Sequence, residues 1–323
     1  MKIYIKTPAR LHLGLLDLHG GLGRIYGGIG VAIGYPNIIL EMQPSKTLLI
    51  RGEKGSTLKA DVEHLLKTYK ISDKVTIDVK QAIPEHVGLG SGTQLALAIA
   101  TALAKIYQLK VTTRDLAIVM RRGTVSGIGT AIFEHGGFVI DGGLRTGIRS
   151  LVKENFPPLI FHHSFPEDWA FVVAIPNVRR GLSDEEELSA FKQLPSASEE
   201  DVGKVCRLVL EKLLPSLIEP DIENFGNALT QIQNIVGRYF AGVQGGTYSS
   251  SVATECIKHM AEYGAFGVGQ SSWGPAVYGL VNNEKQALKL KSRVQTFLDE
   301  KTSGKVFISK ANNGGAHIRL VED

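Results

Sequence analysis

The sequence predicts an α+β protein of two domains that meet near residue 165. In the N-terminal part, several segments alternate apolar and polar side chains, as is typical of strands with one buried face. Two helical segments then follow one another before residue 123. After residue 150 the sequence becomes rich in proline and aromatic residues, and helical segments then mix with strand-like ones. We therefore assign residues 1–165 to a first domain and residues 166–323 to a second.

Each predicted element follows from its local pattern. Strands are predicted where side chains alternate, and helices where apolar residues recur every three to four positions. In the first domain the predicted strands are residues 2–6, 10–16, 29–42, 74–82 and 136–143, and the predicted helices are residues 58–69, 94–108 and 114–122. In the second domain a polar loop is expected to enter a helix within residues 177–191. The other predicted strands are residues 170–176, 266–270, 276–281, 305–310 and 316–321, and the other predicted helices are residues 199–214, 222–240, 252–263 and 284–301.

The composition is that of an ordinary globular protein. Hydrophobic residues make up 43% of the chain and charged residues 21%, close to the average for globular domains. No uninterrupted apolar stretch is long enough to cross a membrane, and the N-terminus alternates like a strand rather than resembling a signal peptide. The net charge of +4 is spread along the chain. We therefore expect a cytoplasmic protein that has neither a membrane nor a nucleic acid as partner.

The segment PEHVGLGSGTQ, residues 84–94, is a glycine loop that leads directly into an apolar helical segment. Alternating glycines allow a ligand to approach the backbone, and the helix start directs unpaired N–H groups into the loop. These features favour a phosphate, although a flexible turn between a strand and a helix is the alternative. The loop is neither a Walker A sequence nor a dinucleotide fingerprint. The residues assigned to phosphate binding are Gly88, Leu89, Gly90, Ser91, Gly92, Thr93 and Gln94.

This loop resembles the central motif of the GHMP kinase superfamily, Pro-x-x-x-Gly-Leu-Gly-Ser-Ser, with Gly92 in place of the second serine. Two further segments, KTPARLHLGLLDLHG and GVGQSSWGPAVYGL, lie where that superfamily has its other motifs. The resemblance implies a two-domain GHMP kinase-like fold. Its N-terminal domain would be similar to ribosomal protein S5 domain 2, and its C-terminal α+β domain would be ferredoxin-like.

The chain departs from the superfamily pattern where its kinases usually have Ser-Gly-x-Asp, because it has Ser126, Gly127, Ile128 and Gly129. Glycine has neither the charge nor the proton affinity to orient or deprotonate an acceptor hydroxyl. Such replacements resemble those in the β-ribofuranosylaminobenzene 5′-phosphate synthase branch of the superfamily. The sequences of that branch are also similar to the segments RRGTVSGIGTAIFEHGGFVIDGG and QSSWGPAVYG of this chain. A small-molecule kinase with another base, and a ligand-binding sensor on a disabled scaffold, are the alternatives.

The resemblance implies a decarboxylating phosphoribosyltransferase of methanopterin biosynthesis. It would join phosphoribosyl pyrophosphate to 4-aminobenzoate or 4-hydroxybenzoate and release carbon dioxide and pyrophosphate. Mg²⁺ is the cofactor that it implies, with ligands that the sequence leaves unknown, and no pyridoxal phosphate (PLP), nicotinamide or flavin is expected. The family also suggests a homodimer.

Candidate catalytic residues lie in the N-terminal motif. Arg10 and His12 share one face of a predicted strand. Arginine offers a fork for carboxylate or phosphate, and histidine is a proton carrier near neutral pH, although a structural imidazole is the alternative. Asp17 and Arg24 flank a glycine-rich segment that suggests a loop close to a ligand, with a long hairpin turn as the alternative.

The remaining predicted contacts come from three separate segments. Trp273 is the candidate for stacking on an aromatic substrate, and structural packing is the alternative for it. The residues assigned to substrate or phosphate binding in these segments are Gly27, Gly28, Ser126, Gly127, Ser271, Ser272 and Trp273.

Overall fold

A computed structural model describes residues 1–52, 55–148, 153–182 and 184–321. Twelve strands and ten α-helices lie in these ranges. The N-terminal half contains, in chain order, β1 (Lys2–Asp17), β2 (Arg24–Ser45), β3 (Leu49–Gly52), α1 (Gly55–Thr68), β4 (Lys74–Gln81), α2 (Ser91–Ile106), α3 (Thr113–Val119), α4 (Ile128–His135), β5 (Phe138–Asp141), β6 (Leu144–Arg145), a 3₁₀ turn (Lys153–Asn155) and β7 (Leu159–His163).

The C-terminal half alternates strands with longer helices. Its elements are β8 (Ala170–Pro176), α5 (Asp184–Gln193), α6 (Glu199–Leu208), a π-helical segment (Val209–Leu213), α7 (Leu214–Ile218), α8 (Ile222–Gln244), α9 (Ser251–Glu262), β9 (Gly267–Gln270), β10 (Val277–Val281), α10 (Glu284–Lys301), β11 (Gly304–Lys310) and β12 (His317–Val321). No helix in the described ranges is both long and apolar enough to cross a membrane.

The strands form two sheets. The first has eight strands, with the path β12-β1-β2-β4-β3; β5 and β6 pair with β2, and β7 pairs with β5. The second has the order β11-β8-β10-β9, and all of its strand pairs are antiparallel. Because β12 pairs with β1, the last described strand lies in the first sheet. The predicted domain boundary near residue 165 falls between β7 and β8, which belong to different sheets, and it stays a proposal.

The two largest of four hydrophobic clusters among the described residues hold these layers together. Helix α2 is buried along almost its whole length against β1 and β2, because its sequence after Thr93 is nearly all alanine, leucine and isoleucine. Helices α9 and α10 cover the second sheet with residues such as Met260 and Leu298. Helix α8 packs on β9 and also reaches β1. These contacts place the start of α2, the middle of β1 and the end of α8 near one another.

The observed α+β architecture confirms the predicted fold class, and several boundaries differ. The strands predicted at residues 2–6 and 10–16 form one strand, β1, because register shifts at Pro8/Ala9 and His12/Gly14 let it bend while still paired with β2. Helix α2 begins at Ser91, since Gly90 provides the left-handed N-cap. Helix α4 was not predicted, and it has no side-chain cap. In the predicted loop and helix of residues 177–191, Ser183 lies outside the described residues.

Candidate active site

The glycine loop wraps around its neighbours more closely than any side chain would allow. Gly88 and Gly90 have positive φ angles of 86° and 76°. A Cβ atom on Gly88 would lie 2.1 Å from the carbonyl oxygen of Ser271, and one on Gly90 would lie 2.7 Å from Arg10 Cγ. Both positions therefore require glycine, for conformation and for space.

The three predicted motifs meet at a single carbonyl group. The carbonyl oxygen of Gly88 accepts hydrogen bonds from Arg10 Nη1 at 2.9 Å and from Ser271 Oγ at 2.6 Å. The Ser271 hydroxyl also accepts a bond of 2.9 Å from the backbone N–H of His12. The Arg10 backbone N–H donates to the carbonyl of Leu89 at 3.1 Å. Strand β1, the loop and the segment after β9 are thus joined into one rigid cluster.

Burial lowers the pKa values of the two candidate catalytic side chains. Arg10 and His12 are partly buried on one face of β1, while Leu11 and Leu13 are fully buried on the other, as the strand pattern predicts. Burial lowers the pKa of Arg10, and the carboxylate of Glu187 opposes this shift. Burial and the charge of Arg10 lower the pKa of His12 to about 3. The imidazole is therefore neutral near pH 7, which disfavours its predicted role as a proton carrier.

Two adjoining cavities surround this cluster. The larger has a volume of about 520 Å³ and the smaller, which covers the glycine loop, about 230 Å³. The polar side chains between α3 and α4 line one part of the larger cavity. Another part is apolar and includes Phe191, Phe240 and Tyr248. The residues that line both cavities are Arg10, Asp61, Thr93, Arg122, Glu187 and Ser272.

Two arginines that the sequence did not single out belong to this site. Arg121 and Arg122 line the larger cavity, and Arg122 also lines the smaller one. A Cβ atom on Gly92 would lie 3.4 Å from Arg122 Nη1, so the guanidinium stands against the loop where the superfamily motif has a serine. The signal that could have found them is the dibasic pair at the start of RRGTVSGIGTAIFEHGG.

The position of the missing kinase carboxylate is filled by another side chain. A Cβ atom on Gly129 would lie 2.7 Å from Thr93 Cγ2. The Gln94 amide holds this arrangement, since its Nε2 donates to the carbonyl of Gly129 at 2.8 Å and its Oε1 accepts from Thr7 Oγ1 at 2.6 Å. Thr93 and Gln94 therefore connect the phosphate loop to α4 and leave no room for an aspartate.

Ser126 and Gly127 bind a buried carboxylate that the sequence did not point to. Asp141 Oδ2 accepts hydrogen bonds from Ser126 Oγ at 2.9 Å and from the N–H of Gly127 at 2.8 Å. Burial raises the pKa of Asp141, against the lowering effect of these bonds and of the N–H groups of Gly28 and Gly143. The carboxylate anchors the turn before α4. A substrate contact by Ser126, Gly127 or Gly28 stays a prediction.

Asp17 and Arg24 both form hydrogen bonds with backbone groups. Asp17 Oδ1 accepts from the N–H groups of His19 and Gly20, at 2.5 Å and 2.7 Å. Arg24 donates to the carbonyls of Gly142 and Gly143, at 2.5 Å and 2.7 Å. Neither residue is among those that line the two cavities. The contacts of Asp17 match the hairpin-turn alternative, and so does Gly27, which has a φ of 73° in the same strand pair; Arg24 instead joins that strand pair to the turn between β5 and β6.

Trp273 and Ser272 lie beside the smaller cavity. The Trp273 ring is 95% buried and packs on Phe240 and Phe191, at centroid distances of 4.5 Å and 5.4 Å. This environment matches the packing alternative for Trp273. Its indole Nε1 has no hydrogen-bond partner within the described part of the chain. Ser272 lines both cavities with a positive φ of 54°.

Comparison with known proteins identifies relatives along the whole chain. The family "GHMP kinases N terminal domain" matches residues 56–137, and "GHMP kinases C terminal" matches residues 213–300. The beta-ribofuranosylphenol 5'-phosphate synthase of Archaeoglobus fulgidus is 34% identical, over 98% of this chain and 99% of that protein. The protein of the same name from Methanothermobacter thermautotrophicus is 34% identical, over 88% of this chain and 90% of its own length.

Solved structures with the same architecture are more distant in sequence. A homoserine kinase from Cytophaga hutchinsonii superimposes with a TM-score of 0.69 at 17% identity, covering 98% of this chain and 97% of its own. A mevalonate diphosphate decarboxylase from Enterococcus faecalis gives a TM-score of 0.68 at 15% identity, covering 99% of both chains. At these identities the likeness concerns the fold alone.

Proposed function

Because the chain belongs to the family of beta-ribofuranosylphenol 5'-phosphate synthases, we propose that it joins phosphoribosyl pyrophosphate to an aromatic acid, with release of carbon dioxide and pyrophosphate. It is a pentosyltransferase-type enzyme, and the predicted GHMP kinase-like fold is confirmed. Its place in methanopterin biosynthesis is part of the proposal. The observation that carries the proposal is that Thr93 packs against Gly129, where the kinases have a carboxylate, and that a glycine loop suited to phosphate lies beside it.

The proposed reaction needs no base at the ring carbon. The bond between the anomeric carbon and a pyrophosphate oxygen breaks, and the anomeric carbon bonds to the ring carbon that carries the carboxylate. The bond from that ring carbon to the carboxylate then breaks, its electron pair restores the aromatic ring, and carbon dioxide leaves. Because no proton leaves the ring carbon, a site with glycine at position 129 and a neutral His12 is adequate.

The glycine loop is suited to hold the leaving pyrophosphate. The start of α2 directs backbone N–H groups into the smaller cavity, and Arg10 and Arg122 supply positive charge at its wall. Donors placed where negative charge develops stabilise the transition state more than the ground state. Arg10 is fixed by its bond to Gly88, so this charge is held in position before the substrate arrives.

The apolar part of the larger cavity is suited to an aromatic ring. Phe191, Phe240 and Tyr248 line it together with aliphatic side chains. The volume of about 520 Å³ lies within the usual range for small-molecule sites. The name of the relatives specifies a phenol, which favours 4-hydroxybenzoate over 4-aminobenzoate as the acceptor. Replacing the carboxyl group of 4-hydroxybenzoate by the sugar leaves a phenol.

Mg²⁺ belongs to the proposal as a partner of the pyrophosphate. Within the described ranges no group of three or more His, Cys, Asp or Glu side chains is arranged to hold a metal ion. Mg²⁺ is usually held by one or two carboxylates together with substrate phosphates. Asp61 and Glu187 line both cavities, so they would hold the ion against the pyrophosphate, where it would supply positive charge.

Labelled carbon dioxide tests the proposal directly. The purified chain is incubated with phosphoribosyl pyrophosphate, Mg²⁺ and 4-hydroxybenzoate labelled in its carboxyl group, with 4-aminobenzoate in a parallel reaction. We expect release of labelled carbon dioxide that requires the sugar substrate and equals the pyrophosphate formed. Arg10→Ala should abolish it, whereas Arg207→Ala, at an exposed residue on α6, should not.

Two other outcomes would contradict the proposal. Consumption of ATP with a panel of metabolite alcohols, and no carbon dioxide, would identify a kinase. Binding of the sugar without turnover would identify a sensor. The homodimer and the cytoplasmic location are further parts of the proposal, and sedimentation and cell fractionation test them.

A further inference from the structure

The larger cavity contains a positive charge that the leaving pyrophosphate does not account for. The cations among its lining residues are Arg10, Arg121 and Arg122. Arg10 is bonded to the loop carbonyl of Gly88, and Arg122 stands against Gly92. Both therefore lie at the glycine loop and line the smaller cavity as well. Arg121 lines the larger cavity without lining the smaller one, and among the described residues its guanidinium takes part in no ion pair or hydrogen bond.

The substrate of the proposed reaction has a second anionic group. Phosphoribosyl pyrophosphate has its pyrophosphate on C1 and a phosphomonoester on C5, one furanose ring away. When the pyrophosphate lies on the loop, the sugar extends into the larger cavity, and its phosphate must be neutralised there. A charged group that leaves water without a partner costs far more than one that is paired.

We propose that Arg121, with the neighbouring Thr124 hydroxyl, forms a separate subsite for the 5′-phosphate of the sugar. This inference rests on the proposed function and extends it to a division of labour between adjacent arginines. Arg122 binds the pyrophosphate, and Arg121 binds the phosphomonoester. Thr124 lines the same cavity. Arginine and a hydroxyl are common partners of phosphate oxygens, because the guanidinium fork binds two oxygens at once.

The backbone at Arg121 provides a well-matched control. Arg121 lies two residues after the end of α3 with a φ of 54°, and its N–H donates to the carbonyl of Ile118. Lys70 lies two residues after the end of α1, also with a φ of 54°, and its N–H donates to the carbonyl of Lys67. Both residues are exposed cations, and Lys70 does not line either cavity. Lys70→Gly therefore repeats the backbone and charge effects of Arg121→Gly away from the site.

Binding of two substrate fragments tests the proposal without requiring turnover. Calorimetry measures the affinity of the wild type, Arg121→Gly, Arg122→Ala and Lys70→Gly for ribose 5-phosphate and for pyrophosphate, both with Mg²⁺. We expect Arg121→Gly to weaken ribose 5-phosphate binding about ten- to a hundredfold and to change pyrophosphate binding less than about twofold. Arg122→Ala should show the opposite pattern, and Lys70→Gly should change neither. Arg121→Lys should recover part of the lost affinity.

Several results would overturn the subsite. One is that Arg121→Gly binds ribose 5-phosphate as tightly as the wild type does, or loses affinity for ribose 5-phosphate and pyrophosphate equally. Another is that Lys70→Gly loses as much affinity for ribose 5-phosphate as Arg121→Gly does. A third is that the wild type does not bind ribose 5-phosphate at millimolar concentration. The proposed reaction is tested separately by carbon dioxide release. If the wild type releases no carbon dioxide, the proposed reaction is contradicted. If Arg121→Gly nevertheless binds ribose 5-phosphate more weakly than the wild type does, the proposed subsite still holds.

Discussion

Single residues in this site are constrained by how closely the backbone of the phosphate loop approaches its neighbours. Gly88 and Gly90 combine left-handed φ angles with contacts that no Cβ atom would tolerate. Arg10 is held by a hydrogen bond to the loop, beside which it would supply positive charge for the bound anion. Substitution at these residues therefore changes both the geometry and the electrostatics of the anion site.

Gly90→Ala should weaken pyrophosphate binding by at least about tenfold, because the new methyl group would displace Arg10 from the loop. The left-handed backbone should also cost about 1–2 kcal/mol of folding free energy. Gly264→Ala is the matched control, since Gly264 has a φ of 92° and open space where its Cβ would be. Calorimetry and urea unfolding should show a similar loss of stability in both variants and lost affinity in Gly90→Ala alone. Equal pyrophosphate affinities would remove Gly90 from the site.

His12 should make the stability of the protein depend on pH. Its folded pKa of about 3 lies below the ordinary 6.5, so the unfolded chain binds the proton more readily. The contribution is fully present above about pH 6.5 and is lost as the pH falls towards 3. Urea unfolding from pH 7.5 to 5 should show a slope that is shallower in His12→Gln, by up to about 1.4 kcal/mol per pH unit. His64→Gln, at an exposed position on α1, serves as the control. An unchanged slope in His12→Gln would contradict the burial of a neutral imidazole.

At the scale of elements, the sequence predicts those whose signal is local. Helix α2 is evident from an unbroken apolar segment after a glycine loop, and α3 from the capping residue Thr112. Helix α4 has only eight residues and a glycine at its N-cap, so its pattern is too short and too weakly capped to stand out. The same limit applies within the site. The proximity of Arg122 to Gly92 and the bonds of Ser126 to Asp141 join residues that are far apart in sequence, and only the folded chain brings them together.

Helix α8 fixes the relative position of strands from the two sheets through one buried amide. Gln233 Nε2 donates to the carbonyl of Leu13 in β1 at 2.7 Å, and its Oε1 accepts from the N–H of Gln270 in β9 at 2.9 Å. Leu13 and Gln270 are next to the site residues His12 and Ser271, so the two hydrogen bonds of Gln233 hold these site residues in place relative to each other. Loss of the amide would leave two buried backbone groups without partners.

Gln233→Met should therefore lower the free energy of unfolding by about 2–4 kcal/mol, since each unsatisfied buried group costs about 1–3 kcal/mol. Gln231→Met, at a half-buried position on the same helix where the amide donates to Asn227 Oδ1 at the surface, should change it by less than about 0.5 kcal/mol. Urea unfolding of both variants provides the measurement. Equal midpoints for the two would show that the amide does not join the sheets.

At the scale of the whole molecule, a kinase-like scaffold would serve the proposed reaction, in which the sugar, not a nucleotide, carries the pyrophosphate. The loop and the helix start remain, and the position of the carboxylate is filled by Thr93. A negative charge at position 129 would oppose the pyrophosphate instead of serving it. The loss of the acid and the retention of the loop are therefore consistent with each other.

A negative charge can be restored at position 129 in a variant in which Thr93 no longer blocks that position. Its effect on pyrophosphate binding then tests whether a carboxylate there opposes the bound anion. Thr93→Ala removes the methyl group that blocks position 129. Thr93→Ala with Gly129→Asp should then bind pyrophosphate at least about tenfold more weakly than Thr93→Ala with Gly129→Asn, because the two differ by one charge. Calorimetry at low and high salt checks the result, and the difference should shrink as salt increases. Equal affinities would show that position 129 does not face the bound anion.

The pairing of β1 with β12 has a consequence for how the chain is made. Lys2 lies opposite Val321, so β1 obtains its outer neighbour only after β12 has been synthesised. While translation continues, that side of β1 presents open hydrogen-bonding groups over residues 2–6, on the strand whose middle carries Arg10 and His12. The nascent polypeptide therefore cannot finish its first sheet on the ribosome ahead of its second, and a fragment ending at residue 165 would keep that edge exposed to other chains.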